Sequence, residues 1–213
     1  MEGKLSTTLI VLAVLAVGFA AINSYFVFDK YSKVGELTGY TGSSGFVNVT
    51  VSAVISINFS QDAILWGVGS IDAGQNNASL LTTDGSGTAV TRGNWSTTGI
   101  KPLSIDNIGS VNVSLKIASN RNETGLFGGT TPTHRAYMLN FTNSDLAACW
   151  NDTINLRVWY DANATSPGTK ICSQLGFIDS QDQLNISVFL AVPYDGSVGA
   201  LNSTLTATAA TAG

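Results

Sequence analysis

Charge is what this 213-residue chain has least of. Asp, Glu, Lys and Arg make up 11% of it, against about 25% in an ordinary soluble domain. The ten Lys and Arg are scattered and the net charge is −4, so the basic stripe that nucleic-acid binding requires is missing. Histidine is nearly absent as well: His134 stands alone in the loop-like stretch TPTHRAY. A His-based triad would have to use it without a glycine-rich nucleophile elbow, and HExxH, P-loop and GxGxxG patterns are also lacking. These gaps exclude nucleic acid as a partner and leave catalysis without machinery, so no enzyme is expected. The carboxylates do not fill the gap, because Asp in a β-protein is usually turn chemistry. Asp179 and Asp182 in IDSQDQ form the one pair that would suit calcium with a loop carbonyl, and solvated turn residues are the plainer reading. No other cofactor is expected.

Cysteine is scarce too. Cys149 and Cys172 are the only two, 23 positions apart and outside any CxxC pattern. They read either as a pair of buried thiols or, in an oxidising compartment, as one disulfide. In the chain-entropy model a loop of that size stabilises the fold by about 3 kcal/mol.

What the chain has in abundance is the N-glycosylation acceptor pattern N-x-[ST]. It occurs at Asn48, Asn58, Asn77, Asn94, Asn112, Asn122, Asn140, Asn151, Asn163, Asn185 and Asn202. Chance pairing among the Asn, Ser and Thr present would give roughly three or four. Covalent glycans would then replace charge as the solubilising coat, and the chain would be extracellular.

The stretch LIVLAVLAVGFAAINSYFVF, Leu9 to Phe28, supplies the only long apolar run. The uncharged span Leu5 to Phe28 would make a helix of about 36 Å, enough to cross a bilayer. Its inner core, Leu9 to Ile22, is short enough for a signal peptide cleaved after Ala20 or Ala21. If the segment is retained, Leu9, Val14, Val17, Phe19 and Phe26 would lie in a packed stalk or anchor, and Gly18 would allow close approach of a neighbour. Residues 31–45, rich in Gly, Ser and Thr, read as a hinge. The expected domains are therefore a hydrophobic helix at 1–30, a hinge at 31–45 and a glycosylated β-domain at 46–213.

From Phe46 the apolar period becomes two. In FVNVTVSAVISINF the odd positions Val47 to Phe59 are all apolar, which predicts a half-buried antiparallel strand over Phe46–Phe59. The same alternation recurs in SVNVSLKI, TINLRVWY and LNISVFLAV, and more weakly around Ala63–Trp66, Leu103–Asp106, Ala136–Thr142 and Leu201–Thr208. Eight to ten short strands joined by turn-rich connections predict an all-β, antiparallel sandwich of Ig-like or jelly-roll-like kind, preceded by an N-terminal hydrophobic α-helix. Of the four tryptophans, Trp66 and Trp150 read as core anchors. Trp159, on the polar face of its strand, is the one candidate among them for a sugar-stacking surface.

The stretch PLSIDNIGSVNVSLKIAS, Pro102 to Ser119, resembles a recurrent hairpin of secreted prokaryotic β-sandwiches: those of the TasA/camelysin-type biofilm fibres and the archaeal bundling pili. The ending VPYDGSVGALNSTLTATA is similar to the closing turn and strand of many archaeal surface proteins, in which dense sequons are also typical. The resemblance implies a fibre subunit and carries no catalytic or binding residues with it. In MEGKLS the order Gly3 then Lys4 reverses the basic-then-small order that precedes the processed helix of archaeal pilins. The leading expectation is a glycosylated, pilus-like filament subunit that assembles with copies of itself and meets the membrane during assembly or as an anchor. The alternatives are a membrane-anchored adhesin recognising carbohydrate around Trp159, or a TasA-like subunit that exchanges a strand with its neighbour.

Overall fold

The structure, a computed structural model, describes residues 10–24, 49–50, 52–82, 89–152, 154–165 and 168–213. The chain divides into two units, residues 1–50 and 51–213. In the first, residues 10–24 form helix α1, a run of Ala, Leu, Val, Ile and Phe with a single Gly and no polar side chain before Asn23. At 1.5 Å per residue it extends about 22 Å. Among the described residues no helix is long and apolar enough to cross a membrane. Leu9 and Phe26, expected in the stalk, lie outside the described residues, as do Asn48 and the 31–45 hinge.

The second unit is mostly β-sheet. Its strands are β1 (Ile57–Gln61), β2 (Asn77–Leu81), β3 (Ala89–Thr91), β4 (Leu103–Asn107), β5 (Val113–Ser119), β6 (Ala136–Asn143), β7 (Cys149–Asp152), β8 (Trp159–Asp161), β9 (Thr169–Leu175), β10 (Gln183–Pro193) and β11 (Leu205–Thr211). All their pairings are antiparallel. They form a seven-stranded sheet around β10 and a four-stranded sheet in the order β11-β5-β9-β7.

Strand β10 organises the larger sheet. One of its edges carries β6 from Leu184 to Ala191. The opposite edge is shared end to end: β4 pairs with Gln183–Ile186 and β2 with Phe189–Pro193. At the join, buried Thr82 stands in for a ladder partner. Its N–H donates to the Val188 carbonyl at 3.0 Å, and the Val188 N–H donates to its Oγ1 at 2.7 Å. Beyond β4 lies β1, beyond β2 lies β3, and beyond β6 lies β8.

Both sheets contribute one face to a common core. Leu103, Ile105, Leu139, Phe141, Leu184 and Ile186 of the larger sheet meet Val113, Leu115, Ile117, Ile171 and Leu175 of the smaller. Burying each such side chain contributes roughly 1.5–3 kcal/mol. The strict alternation of buried and half-buried residues along β4 and β5 is what a two-layer packing produces.

One buried polar residue ties the layers together. Asn107 ends β4, and its Nδ2 donates to the carbonyls of Val111 at 2.9 Å, Gly176 at 2.8 Å and Leu175 at 3.2 Å. Its Oδ1 accepts from the Gly109 N–H at 3.1 Å. The β4–β5 turn is thereby fastened to the end of β9 in the other sheet.

Several expectations need correction. Of the predicted strand over Phe46–Phe59, residues 46–48 and 51 lie outside the described residues, and among the others the strand begins at Ile57. Residues 52–56 form no strand, and Val49 is 73% exposed. The alternation there meets no facing layer and gains one backbone attachment: Val54 pairs with Ser110, whose Oγ accepts from its N–H at 2.9 Å and whose N–H donates to its carbonyl at 2.8 Å. In TINLRVWY the strand is only Trp159–Asp161, because Arg157 adopts a positive φ of 65° that breaks the pleat and leaves Val158 exposed. Ala63–Trp66 is not a strand, and the last strand begins at Leu205 rather than Leu201. The connection SNRNETGLFGG holds a short helix α2 (Glu123–Phe127), capped by Asn122, whose Oδ1 accepts from the Gly125 N–H at 2.8 Å.

Candidate functional site

The outer face of the larger sheet gathers three acceptor sites in register. Asn58 of β1 stands opposite Asp106, and Ser104 opposite Asn185. Asn185 then faces Thr142, Ser187 faces Asn140, and Asn140 faces Trp159. The sequons Asn140-Phe-Thr142 and Asn185-Ile-Ser187 therefore run antiparallel on adjacent strands, the asparagine of each opposite the hydroxyl residue of the other. Thr142 and Ser187 are both buried, and Asn140 Oδ1 and Thr142 Oγ1 are buried without a hydrogen-bond partner.

An N-linked glycan is attached through Asn Nδ2, so which amide atom the fold engages matters. At four sequons the oxygen is held and the nitrogen has no partner among the described residues. Asn94 Oδ1 accepts from the Ser70 N–H at 2.6 Å, Asn122 Oδ1 from Gly125, Asn163 Oδ1 from the Thr165 N–H at 2.9 Å, and Asn185 Oδ1 from Ser104 Oγ at 2.6 Å. Asn77 is the opposite case: half-buried, its Nδ2 donates to the His134 carbonyl at 3.1 Å and its Oδ1 is buried without a partner. Asn58 and Asn202 are exposed, and Asn112 is half-buried beside β5. Asn151 lies on β7.

Cys149 and Cys172 form a disulfide that joins β7 to β9, with Cα atoms 5.7 Å apart. A disulfide in a β-rich fold fits an oxidising environment.

In α1, Val14, Val17, Gly18 and Phe19 are all exposed, as is every other described residue of that helix. A Cβ built on Gly18 would meet nothing within 4 Å.

The tryptophans are placed differently from expectation. Trp150 is 48% exposed rather than a core anchor. Trp66 is half-buried, with a buried indole N–H that has no partner. Trp159 packs edge-on against Phe189, ring centroids 6.0 Å apart, which spends part of its surface on the sheet itself. Trp66 lines one cavity, beside Phe59 and Leu103, and Trp95 lines a second, larger cleft. The cleft, of about 700 Å³, lies between residues 69–76 on one side and 192–201 on the other. Sequence reasoning missed it because its walls come from chain segments more than a hundred positions apart.

Two carboxylates have displaced proton affinities. Asp195 is held down to about 2, chiefly by the Thr130 N–H. Its Oδ2 also accepts from Thr130 Oγ1, Thr131 N–H and Thr131 Oγ1, all within 3.1 Å. Asp182 is pushed up, first by desolvation and then by the nearby carboxylates of Asp145, Asp106 and Asp179. Among the described residues no three His, Cys, Asp or Glu side chains are grouped to hold a metal.

No family model, curated protein or solved structure matches the chain.

Proposed function

We propose that this chain is a structural subunit of a glycosylated, pilus-like filament on the cell surface, with its β-domain outermost as an Ig-like or jelly-roll-like sandwich. The observation that carries this reading is α1: it is apolar on every side and exposed on every side, with Val17 at 70% and Phe19 at 69%. A helix greasy all round is stable only where lipid or other helices surround it. Copies of itself would do so along a fibre axis, with Gly18 allowing close approach. The charge-poor β-domain would be kept in solution by glycans on its exposed asparagines. On this reading the chain has no catalytic role and its partners are its own copies and, during assembly, the membrane. The resemblance of the Pro102–Ser119 hairpin to bundling-pilus and TasA-type sandwiches points the same way.

The test is to shear surface material from cells, image it and determine the N-terminus of the chain it contains. Fibres containing a chain that starts between Met1 and Leu5, and that are lost in Val14→Asp and Val17→Asp, support the helix-packed filament. A chain that remains monomeric in detergent and binds glycans would make it an anchored adhesin instead.

A second filament mechanism has its own support. Residues 52–56 place Ala53 and Ile55 in the alternating register, hydrogen-bond only through Val54 and Ser110 among the described residues, and leave Val54 and Ile55 exposed. That is the state of a strand available to another subunit. Fibres whose chain begins after Ala20 or Ala21 would favour this strand-exchanged form.

A further inference from the structure

We propose that the cleft lined by Trp95 and Tyr194 is a binding site for uncharged carbohydrate. It is separate from the Trp159 surface and from the acceptor asparagines of the outer face.

The cleft begins with two glycines. A Cβ on Gly69 would sit inside the Trp95 indole, and one on Gly93 would collide with its benzo edge and with Ala78. Both positions are bare backbone because the indole lies on them. The ring is thus fixed as one wall of the cleft rather than left to swing. Such a plate has an electron-rich face, which attracts the weakly positive C–H groups lining one side of a pyranose ring.

The opposite wall comes from the end of β10, Val192 and Pro193, and the turn after it, Tyr194 and Ser197. Tyr194 is 60% exposed and rests on His134 with ring centroids 5.7 Å apart, so the second aromatic is also braced from behind.

The rim supplies the polar groups. Residues 72–75 close a tight turn in which the Gln75 N–H donates to the Asp72 carbonyl at 3.1 Å and Gly74 takes φ 80°. That positive φ is the one a type II turn needs at its third residue. The turn brings Asp72, Gln75 and Asn76 to the cleft, and among the described residues their side chains have no hydrogen-bond partner. A carboxylate acceptor and two amides, each both donor and acceptor, match the hydroxyls and acetamido groups of a sugar.

Charge narrows the class. The lining contains one carboxylate and no Lys or Arg, so sialylated, uronic and sulfated sugars would meet repulsion with no cation to offset it. The volume of about 700 Å³ falls in the usual range for small-ligand sites, and apolar walls with a few convergent polar groups are the usual makeup of such sites. The ligand would be a neutral hexose or N-acetylhexosamine residue, presented either by a glycan on another copy of this chain or by a foreign surface.

The experiment uses the full chain in detergent, produced once with and once without its glycans. Both forms are applied to an array of neutral and acidic oligosaccharides and of glycans released from the native protein. Hits are titrated calorimetrically with the free sugar. Asp72→Asn and Tyr194→Ala, both at exposed positions, and Trp95→Ala are compared with Trp159→Ala, with unchanged circular dichroism required of each. Losing one charged hydrogen bond or one stacking face should weaken binding about tenfold. Neutral sugars bound by the wild type and by Trp159→Ala, and weakened by Asp72→Asn and Tyr194→Ala, support the site. Binding of released native glycans assigns it to neighbouring copies, and binding of foreign glycans alone assigns it to adhesion. Absence of binding, selection of acidic sugars, or affinity that only Trp159→Ala disturbs would overturn it. None of these outcomes depends on whether fibres form.

Discussion

Asn107 and Gly176 are joined across the two sheets: the Asn107 side-chain nitrogen donates to the Gly176 carbonyl at 2.8 Å, from a position only 1% exposed. All the polar atoms of that side chain are engaged, so the residue acts as a peg between the β4–β5 turn and the end of β9. Asn107→Ala would strand the carbonyls of Val111 and Gly176 and the Gly109 N–H. The expected cost is about 3 kcal/mol, read as a fall in urea midpoint at unchanged slope. A loss under about 0.5 kcal/mol, the range of surface substitutions, would show that the peg bears little.

Asp195 should make stability fall in strong acid. Its carboxyl is held at about 2 in the folded chain, mainly by the Thr130 N–H, below the ordinary value near 3.9 in an unfolded one. A lowered folded value means the stabilisation is present in full above the unfolded value and is lost as pH falls from about 4 to about 2. The Tm difference between wild type and Asp195→Asn should be largest at neutral pH and close by about pH 2. A constant difference across that interval would refute the assignment.

Asp182 should behave in the opposite sense. Desolvation and the carboxylates of Asp145 and Asp106 raise its proton affinity, so its charge costs stability at neutral pH and protonation relieves the cost. Asp182→Asn should raise Tm at pH 7, and the gain should shrink as pH falls through the acid range. An Asn that lowers Tm at pH 7 would mean that the charge is compensated.

The acceptor asparagines should not be equally modified if transfer takes place on folded protein. At Asn77 the nitrogen that would carry the glycan already donates to His134, whereas Asn58 and Asn202 are exposed. Glycopeptide mass spectrometry should find Asn58 and Asn202 occupied and Asn77 largely bare. Full occupancy at Asn77 would place the transfer before β2 joins the sheet.

Legibility in the sequence followed regularity. β5 and β10 overlap predicted stretches because each packs one face against a facing layer. β9 escaped notice because its pairing with β5 slips twice, at Val113/Leu115 and Leu115/Lys116, and the slips scramble the period of TKICSQL. β3 is three residues long, too short to show a period, and in β2 the sequence NASLL puts small Ala78 and half-buried Leu81 where a clear apolar alternation would need the reverse. The segment before Ile57 misled in the other direction: Val49, Ala53 and Ile55 keep the alternating register and are exposed, since a pattern states what a strand would bury and supplies no partner. Acceptor asparagines can be counted from sequence, but which amide atom each one has committed depends on Ser70, Ser104 and His134, far away in the chain. The cleft was invisible for the same reason, its tryptophan lying between Gly69 and Gly93 and its second wall near residue 194.

The disulfide has a consequence at the rim of the smaller sheet. β7 is one outer strand there, and Cys149–Cys172 rivets it to β9, so it cannot peel away and expose a fresh ladder. β11 is the other outer strand, and LTATAAT contains no lysine, proline or other residue that discourages lateral pairing. The sheet therefore has one outer strand that is covalently fixed to its neighbour and one, β11, that is held by its ladder with β5 and carries nothing against the addition of a further strand.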